Sequence, residues 1–254
     1  MGLMVKNLNF AYRDGKVLEN ISFEVKEGEV CAILGPNGSG KTTLIKCLNR
    51  LLSPQSGDIE VDGTNIQTFG RRELAKTFAY VPQVHIGGFP YTVIEMILMG
   101  RTPYLDYYSN PGQKDYEMAY NVLKELGLLH LMDRFFNELS GGEKQLIYLG
   151  RALVQDAKVL LLDEPTSHLD FRNELLIIEK IKEVVKLKRL VAIAALHNPN
   201  EVFWLSDKVL VLHQGKIINY GTPDEVVNSA TMEKVYGVSV EILSTNGKKG
   251  VIPK

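Results

Sequence analysis

A glycine-rich turn restricts the possible folds of this chain more than any other feature. It runs from Gly35 to Thr42 in the pattern G-x-x-x-x-G-K-[ST], after the apolar run Val30 to Leu34 and before a helix that we expect to start near Thr42. The glycines let successive backbone N–H groups point inward at the positive end of that helix, which suits a phosphate. Because a strand and a helix flank the turn as the motif requires, an ordinary turn with a chance Lys-Thr is the weaker interpretation.

This turn predicts a nucleotide-binding loop. Lys41 places a full positive charge beside the β- and γ-phosphates, and the Thr42 hydroxyl can coordinate Mg²⁺. On this motif alone the chain could be a kinase, a GTPase or another nucleotide-binding protein. The predicted contacts to the nucleotide are Gly35, Pro36, Asn37, Gly38, Ser39, Gly40, Lys41, Thr42 and Thr43.

Apolar runs elsewhere in the chain indicate what surrounds this loop. Val159 to Leu162 and Leu190 to Ala194 are continuously apolar, as strands of a parallel sheet that is buried on both faces are. Ile21 to Lys26 instead alternates apolar and polar residues, which is typical of a half-exposed antiparallel strand. Between about Gly88 and Glu138 helix formers replace the strand-like runs.

These patterns predict an α/β fold: a P-loop NTPase parallel-sheet core with an N-terminal antiparallel β subdomain and an inserted α-helical lobe. We expect one domain over residues 1–238, with the nucleotide-binding core at 1–87 and 157–238 and the helical lobe at 88–156. Residues 239–254 would form a C-terminal tail, in which the sequence carries no functional signal.

Composition excludes several classes of protein. Of the 254 residues 45% are hydrophobic, enough for a sizeable core, and the net charge of -1 gives no field that would attract nucleic acid. Cys31 and Cys47 lack partners at metal-ligand spacing and are interpreted as small buried hydrophobic residues. No apolar stretch approaches the roughly 18 residues of a membrane span. We therefore expect no nucleic-acid partner, no export and no crossing of a bilayer by the chain itself.

Two adjacent acids, Asp163 and Glu164, end the apolar run that starts at Val159. Successive side chains of a strand point to opposite sides, so the two acids can do different work. Asp163 is placed to hold Mg²⁺, and Glu164 is placed to polarise an attacking water as a general base. An isolated acidic pair often only ends a strand at the surface, but the phosphate loop upstream makes that alternative the weaker one.

A second anion-binding pattern lies between these two motifs. Leu139 to Gln145 reads L-S-G-G-E-K-Q and precedes a helix-patterned segment that runs to about Gln155. The Ser140 hydroxyl and the N–H groups of a helix N-terminus are suited to bind a phosphate. The chain thus carries two phosphate-binding surfaces.

With this motif the chain resembles the ABC ATPases over nearly its whole length. Their signature is LSGGQ-like, and Glu143 stands here for the usual Gln. The resemblance implies further assignments. Taken alone, Tyr12 would more simply be a strand aromatic, Gln83 a loop amide and His197 a polar cap at a strand end, but their joint order and spacing favour the assignments. These are the adenine-stacking Tyr12, the Q-loop Gln83, the D-loop from Ser167 to Asp170 and the switch histidine His197.

The resemblance further implies an ATPase that works as a head-to-tail dimer. ATP on the phosphate loop of one copy would be completed in trans by Ser140, Gly141, Gly142 and Glu143 of the other, with Asp170 as a dimer contact. The implied catalytic residues are Glu164, His197 and Lys41. The implied Mg²⁺ site is Thr42, Gln83 and Asp163.

The sequence departs from the family pattern after the switch histidine. Asn198 and Pro199 follow His197 where many relatives have an acidic residue and a leucine. Pro199 would stiffen the turn, and we expect hydrolysis to survive. The remaining histidines lack partners at ligand spacing and are interpreted as surface or packing residues: His85, His130, His168 and His213.

The segment 88–104, which follows Gln83, is rich in apolar and aromatic residues. It resembles the corresponding part of importers for iron–siderophore, haem or cobalamin, where a permease inserts a coupling helix. Packing within the lobe's own core is an equal alternative.

The resemblance to these importers implies an ATPase at the cytoplasmic face of the cell membrane. Its partners would be a polytopic permease docked on the helical lobe and an extracytoplasmic substrate-binding protein. A soluble ABC ATPase of iron–sulfur cluster assembly remains the alternative, whereas the signature from Leu139 to Gln145 argues against a small-molecule kinase.

Overall fold

A computed structural model describes residues 2–13, 15–83, 90–106, 108–245 and 248–254. Its strands are β1 (Gly2–Tyr12), β2 (Gly15–Lys26), β3 (Val30–Leu34), β4 (Ser56–Val61), β5 (Thr64–Asn65), β6 (Phe78–Val81), β7 (Val159–Asp163), β8 (Val191–Leu196), β9 (Lys208–His213), β10 (Lys216–Gly221), β11 (Val240–Thr245) and β12 (Lys248–Pro253). Its α-helices are α1 (Lys41–Leu48), α2 (Arg71–Thr77), α3 (Val93–Leu98), α4 (Gln113–Glu125), α5 (Gly141–Val154), α6 (Phe171–Lys188), α7 (Pro199–Leu205), α8 (Pro223–Val226) and α9 (Ser229–Tyr236).

The central sheet has the strand order β10-β9-β3-β8-β7-β6. β6, β7, β8, β3 and β9 run parallel, and β10 pairs antiparallel with β9 at one edge. Every residue of β3, β7 and β8 is buried. A continuous apolar run suits such a strand because both faces of the sheet are covered.

Successive residues of β3 divide between two hydrophobic cores. Ala32 and Leu34 face the core that also holds the helical lobe and α6, whereas Cys31 and Ile33 face the core beneath α1 and the antiparallel sheet. Both cysteines are buried and unpaired, as the sequence predicts. Burial raises the pKa of the Cys47 thiol to about 12, so this group is an unreactive packing residue.

The N-terminal strands form an antiparallel sheet in the order β2-β1-β4-β5. The predicted alternation holds along β2, since Ile21, Phe23 and Val25 are buried and the polar residues between them are exposed. The predicted fold class, a parallel core with an antiparallel β subdomain and a helical insertion, is confirmed.

The helices α3, α4 and α5 lie between β6 and β7 in the chain and pack on one another. They form the helical lobe, whose predicted bounds of 88–156 stay a prediction. Thr92 starts α3 with a capping box, in which its hydroxyl and N–H both pair with Glu95. Three positions of the sequence analysis, His85, Gly88 and Phe89, lie outside the described residues.

Arg101 joins the parts of the lobe. It is 5% exposed, and its guanidinium donates to Asp115 at 2.8 Å and to the Val154 carbonyl at 3.0 Å. The same group lies 3.9 Å from the centre of the Tyr104 ring. The Arg101 hydrogen bond lowers the pKa of Asp115, so the carboxylate is charged at neutral pH.

The last residues form a hairpin of β11 and β12 that packs on α7. The Val251 N–H donates to the Asn200 side chain of α7 at 2.7 Å. β12, part of the predicted C-terminal tail in which the sequence carries no functional signal, is therefore bonded to the helix that follows His197. Within the described part of the chain, no helix combines the length and apolar character needed to cross a membrane.

Replacing Arg101 with Ala should lower the free energy of unfolding by about 3 kcal/mol, since it removes the cation paired with the Asp115 carboxylate and the donor to the Val154 carbonyl. Arg72 is a matched control, because its ion pair with Asp106 is exposed on both sides. Arg72→Ala should cost less than about 1 kcal/mol. Urea denaturation of both variants measures the difference, and equal losses would contradict the assigned role of Arg101.

Candidate active site

The phosphate loop lies where β3 ends and α1 begins, beside the ends of β7 and β8. A cavity of ≈ 640 Å³ opens there. Its lining residues are Val17, Asn37, Gly38, Gly40, Lys41, Thr42, Thr43, Gln83, Glu164, Ser167, His168 and His197. The structure thus gathers residues from five separated parts of the sequence into one cavity.

The loop depends on its glycines. Gly38 and Gly40 have φ angles of +78° and +108°, which residues with a Cβ rarely adopt. At Gly35 an added Cβ would lie 2.2 Å from the Leu212 carbonyl oxygen of β9. The N-terminus of α1 has Gly40 in the capping position and therefore no side-chain cap. A helix start of this kind has N–H groups to offer to a phosphate.

Lys41 is held inside the loop. Its ammonium group donates to the carbonyls of Gly35 at 2.7 Å and Pro36 at 3.1 Å, and the residue is 5% exposed. Burial lowers the pKa of Lys41, while the carboxylates of Glu164 and Asp163 act in the opposite direction. The lysine is therefore the cation that balances two acids at the bottom of the site.

Asp163 receives hydrogen bonds from two hydroxyl groups. Thr42 donates to one carboxylate oxygen at 2.9 Å, and Tyr80 lies 3.3 Å from the other, a long hydrogen bond. Asp163 is 1% exposed, and burial raises its pKa against the effect of both hydroxyls. The sequence predicted the pair of Thr42 and Asp163, but it did not identify Tyr80.

Glu164 contacts the predicted Q-loop glutamine and lies near the predicted switch histidine. The Gln83 amide donates to its carboxylate at 2.6 Å, and His197 Nδ1 lies 3.8 Å from the same oxygen. The backbone of Glu164 has φ +50°, and its N–H donates to the Ala195 carbonyl of β8 at 3.1 Å. The strand therefore ends at Asp163, and the Glu164 side chain lines the cavity.

The signature residues form the start of α5. Ser140 is exposed and caps this helix, and the Glu143 carboxylate accepts from its N–H at 2.8 Å and its hydroxyl at 2.7 Å. These bonds from Ser140 lower the pKa of Glu143. None of residues 140–143 lines the cavity of its own chain. The two predicted phosphate-binding surfaces are therefore not brought together within one molecule.

Two other predicted residues also lie outside the cavity lining. Tyr12 is 49% exposed, and its ring packs edge-to-face on Phe10 with centroids 4.8 Å apart. Asp170 caps α6 and accepts from the Asn173 N–H at 2.9 Å. Asn173 also contacts the start of α5, since a Cβ on Gly142 would lie 2.5 Å from its side chain.

Three predicted loop residues, Gly35, Pro36 and Ser39, are not among the residues that line the cavity. Ser39 is 3% exposed, and its hydroxyl has no hydrogen-bond partner among the described residues.

Sequence reasoning missed some of the residues around the cavity. His168, interpreted as a surface or packing residue, lines the cavity next to Ser167 with a φ of +65°. The position of His168 within the predicted D-loop could have indicated that it lies near the nucleotide site. Tyr80 stands three residues before Gln83, and only the pairing of β6 with β7 reveals that its hydroxyl reaches Asp163.

Asn198 and Pro199 start α7 instead of merely stiffening a turn. The Asn198 side chain accepts from the Asn200 N–H at 2.9 Å, and Pro199 takes the first helical position. Proline is well suited to that position because its missing N–H is not needed there. His197 is thereby placed directly before the capped start of a helix.

Comparison with known proteins decides the family. The model of a family described as "ABC transporter" matches residues 18–167, more than half of the chain. The chain belongs to this family.

This chain aligns with other ABC proteins over nearly its whole length. The petrobactin import ATP-binding protein FpuC of Bacillus anthracis is 34% identical over 99% of this chain and 93% of its own length. The ferric enterobactin transport ATP-binding protein FepC of Escherichia coli is 32% identical over 94% and 88%. A solved chain from a transporter provisionally classed as metal-chelate type, in an inward-facing conformation, superposes with a TM-score of 0.88 at 29% identity, covering 100% of this chain and 97% of that one.

The predicted resemblance to ABC ATPases is thereby confirmed, and with it the prediction of a transport ATPase. The roles of individual residues in this ABC protein remain predictions that rest on the geometry described above.

Replacing Gly40 with Ala should weaken ATP binding at least tenfold, because an added Cβ would lie 2.9 Å from Leu18 at a φ of +108°. Gly63 is the matched control: its φ is +79°, but no atom lies near an added Cβ. Titration with a fluorescent ATP analogue should show that Gly63→Ala binds as the wild type does. Normal binding by Gly40→Ala would mean that the loop does not hold the phosphates.

Proposed function

We propose that this ABC protein is the ATP-hydrolysing subunit of an importer for an iron chelate, or for haem, cobalamin or a similar chelate, acting through a separate membrane permease. The observation that carries the hydrolytic part is the position of Glu164 between Gln83 and His197, beside the phosphate loop. The relatives that take part in petrobactin import and ferric enterobactin transport support the substrate class. They also favour transport over the alternative of iron–sulfur cluster assembly.

The donor set at Asp163 fits Mg²⁺. Magnesium in nucleotide sites is held by one or two carboxylates or hydroxyls together with the phosphates, rather than by a protein cage. Thr42 and Asp163 already lie 2.9 Å apart, with Gln83 bonded to the neighbouring acid. When bound, the ion would neutralise charge on the phosphates.

The chain's own residues support an in-line attack by water on the γ-phosphate. Lys41 would exchange its bonds to the loop carbonyls for bonds to the β- and γ-phosphates. Glu164 would accept a proton from the water, held in orientation by the Gln83 amide. His197, whose Nδ1 lies 3.8 Å from the same Glu164 oxygen, would donate to the γ-phosphate as its charge shifts in the transition state.

Completion of this site would need a second copy arranged head to tail. The exposed Ser140 and the N-terminus of α5 offer donors that the cavity of their own chain does not use. In the proposed dimer Ser140, Gly141 and Gly142 bind the phosphates held by the partner, and the Ser140 hydroxyl exchanges its bond to Glu143 for one to a phosphate oxygen. Asp170 contributes by fixing the start of α6 beside Gly142, and Tyr12 stacks on adenine.

A groove of ≈ 470 Å³ between the core and the lobe is the proposed docking site for the permease. Leu51 is 62% exposed and forms part of its wall, and further lining comes from Phe78, Met99 and Gly100. Most apolar residues of α3 are buried within the lobe, so among the described residues 90–104 only Met99 and Gly100 line this groove. Docking there would hold the ATPase at the cytoplasmic face of the membrane, with a substrate-binding protein on the other side.

Changing Glu164 to Gln should reduce steady-state ATP hydrolysis by roughly 10²–10⁴-fold, because the general base is lost while phosphate contacts remain. The variant should accumulate as an ATP-bound dimer on size-exclusion chromatography. Glu233→Gln, an exposed change on α9, is the control for loss of a carboxylate. Near-wild-type phosphate release by Glu164→Gln would show that another group is the base.

Replacing Ser140 with Ala should lower hydrolysis at least tenfold and leave ATP affinity of the monomer within about twofold, because Ser140 would act on the partner's nucleotide. Thr92 provides a matched control, since it caps α3 with the same kind of box. Thr92→Ala should cost about 1 kcal/mol of stability, as Ser140→Ala does, and keep hydrolysis intact. Equal hydrolysis by both variants would contradict the composite site.

A further inference from the structure

One buried acid near the site takes no part in the proposed chemistry. Glu201 lies in the first turn of α7 and is 3% exposed. It accepts a hydrogen bond of 2.6 Å from the hydroxyl of Thr166, which is itself 6% exposed. A buried carboxylate is costly, and an apolar pair of similar volume would fill this space at less cost. The bond therefore calls for an explanation beyond packing.

The electrostatics of Glu201 show what surrounds it. Burial raises its pKa, and the carboxylates of Glu174 and Glu164 raise it further. The Thr166 hydrogen bond and His197 lower it. Glu201 is thus within electrostatic reach of both members of the proposed hydrolytic pair, although it does not line the cavity.

The Thr166–Glu201 bond closes a ring of connections. Thr166 is two residues after Glu164, and Glu201 is four residues after His197. Glu164 and His197 in turn approach each other to 3.8 Å. Adjacent strands β7 and β8 bring the two segments to the same edge of the sheet, where the bond from the Glu164 N–H to Ala195 is the last ladder contact. Beyond it, the Thr166–Glu201 bond ties the two segments together.

We propose that the hydrogen bond between Thr166 and Glu201 sets the position of His197 against Glu164, so that both residues are positioning residues for hydrolysis. This inference rests on the proposed roles of Glu164 and His197. Because α7 starts directly after His197 and is capped by Asn198 and Pro199, a rotation of this helix moves the histidine with it. Glu201 fixes that rotation by anchoring the first turn of α7 to the segment that carries Glu164.

The test uses Thr166→Val, which keeps the shape of the side chain and removes the hydroxyl. We expect kcat to fall roughly ten- to a hundredfold with unchanged KM, as for a small misplacement of a catalytic group. Thr166→Ser, which keeps the hydroxyl, restores most of the turnover. Ser206→Ala is the matched control: it removes a hydroxyl that donates to Val202 at the other end of α7, and turnover stays at the wild-type level.

The decisive measurement repeats Thr166→Val in a His197→Ala background. If the Thr166–Glu201 bond acts through the histidine, Thr166→Val should not lower the hydrolysis rate of His197→Ala any further. Single-turnover hydrolysis of radiolabelled ATP measures this, because it detects slow residual rates. The double variant Thr166→Val/Glu201→Leu replaces both polar partners and avoids an unpaired buried acid. It should keep the thermal stability of the wild type and show the same loss of kcat.

Three results would overturn the inference. They are normal turnover of Thr166→Val, the same fold-loss of turnover from Thr166→Val in the His197→Ala background as in the wild type, and normal turnover of the double variant Thr166→Val/Glu201→Leu. Normal turnover of His197→Ala alone would instead remove the proposed role of the histidine itself. The two failures are therefore distinguishable.

Discussion

The parallel register of β3, β8 and β7 is the constraint on which the rest of the structure depends. Leu34 pairs with Leu196, and Asp163 pairs with Ala195, so three strands end at one level of the sheet. Parallel strands send their carboxyl ends to the same edge, and the segments that follow them meet there. The phosphate loop, the two acids and His197 are distant in sequence and become neighbours for this reason alone. Hydrogen bonds between side chains then set the final positions of the groups that the strand ends bring together.

The balance of charge at this edge follows from burial. Lys41 lies among Asp163 and Glu164 with little access to solvent, so each charge depends on its neighbours rather than on water. The hydroxyls of Thr42 and Tyr80 and the amide of Gln83 supply further donors to the acids. A nucleotide with its metal ion would enter a site in which the side chains of Lys41, Asp163 and Glu164 are already paired internally, whereas the start of α1 has no side-chain cap. Binding therefore exchanges hydrogen bonds that exist, which favours a ligand with many phosphate oxygens.

Much of this arrangement could be predicted from the sequence, because the signals were local. Continuous apolar runs marked β3, β7 and β8, and fixed spacings marked Lys41, Asp163 and Glu164. The side-chain pairings could not be predicted in the same way. The bonds of Tyr80 to Asp163 and of Thr166 to Glu201 join residues 83 and 35 positions apart, and they exist only once neighbouring strands fix the distance. The strands β11 and β12 after Ser239 were not predicted, because their alternating pattern is short and interrupted by Lys and Gly.

The capping box of α5 has a consequence for how two copies could meet. Glu143 places its own carboxylate on the Ser140 hydroxyl and N–H, so a negative group already occupies part of the helix end. Free anions in solution would therefore compete with the Glu143 carboxylate, which is covalently part of the same helix, for the N-terminus of α5. In the proposed dimer, only a phosphate presented at fixed geometry by the opposite subunit could outcompete it. Glu143 would then disfavour the binding of free anions to the start of α5 in a subunit that has no partner.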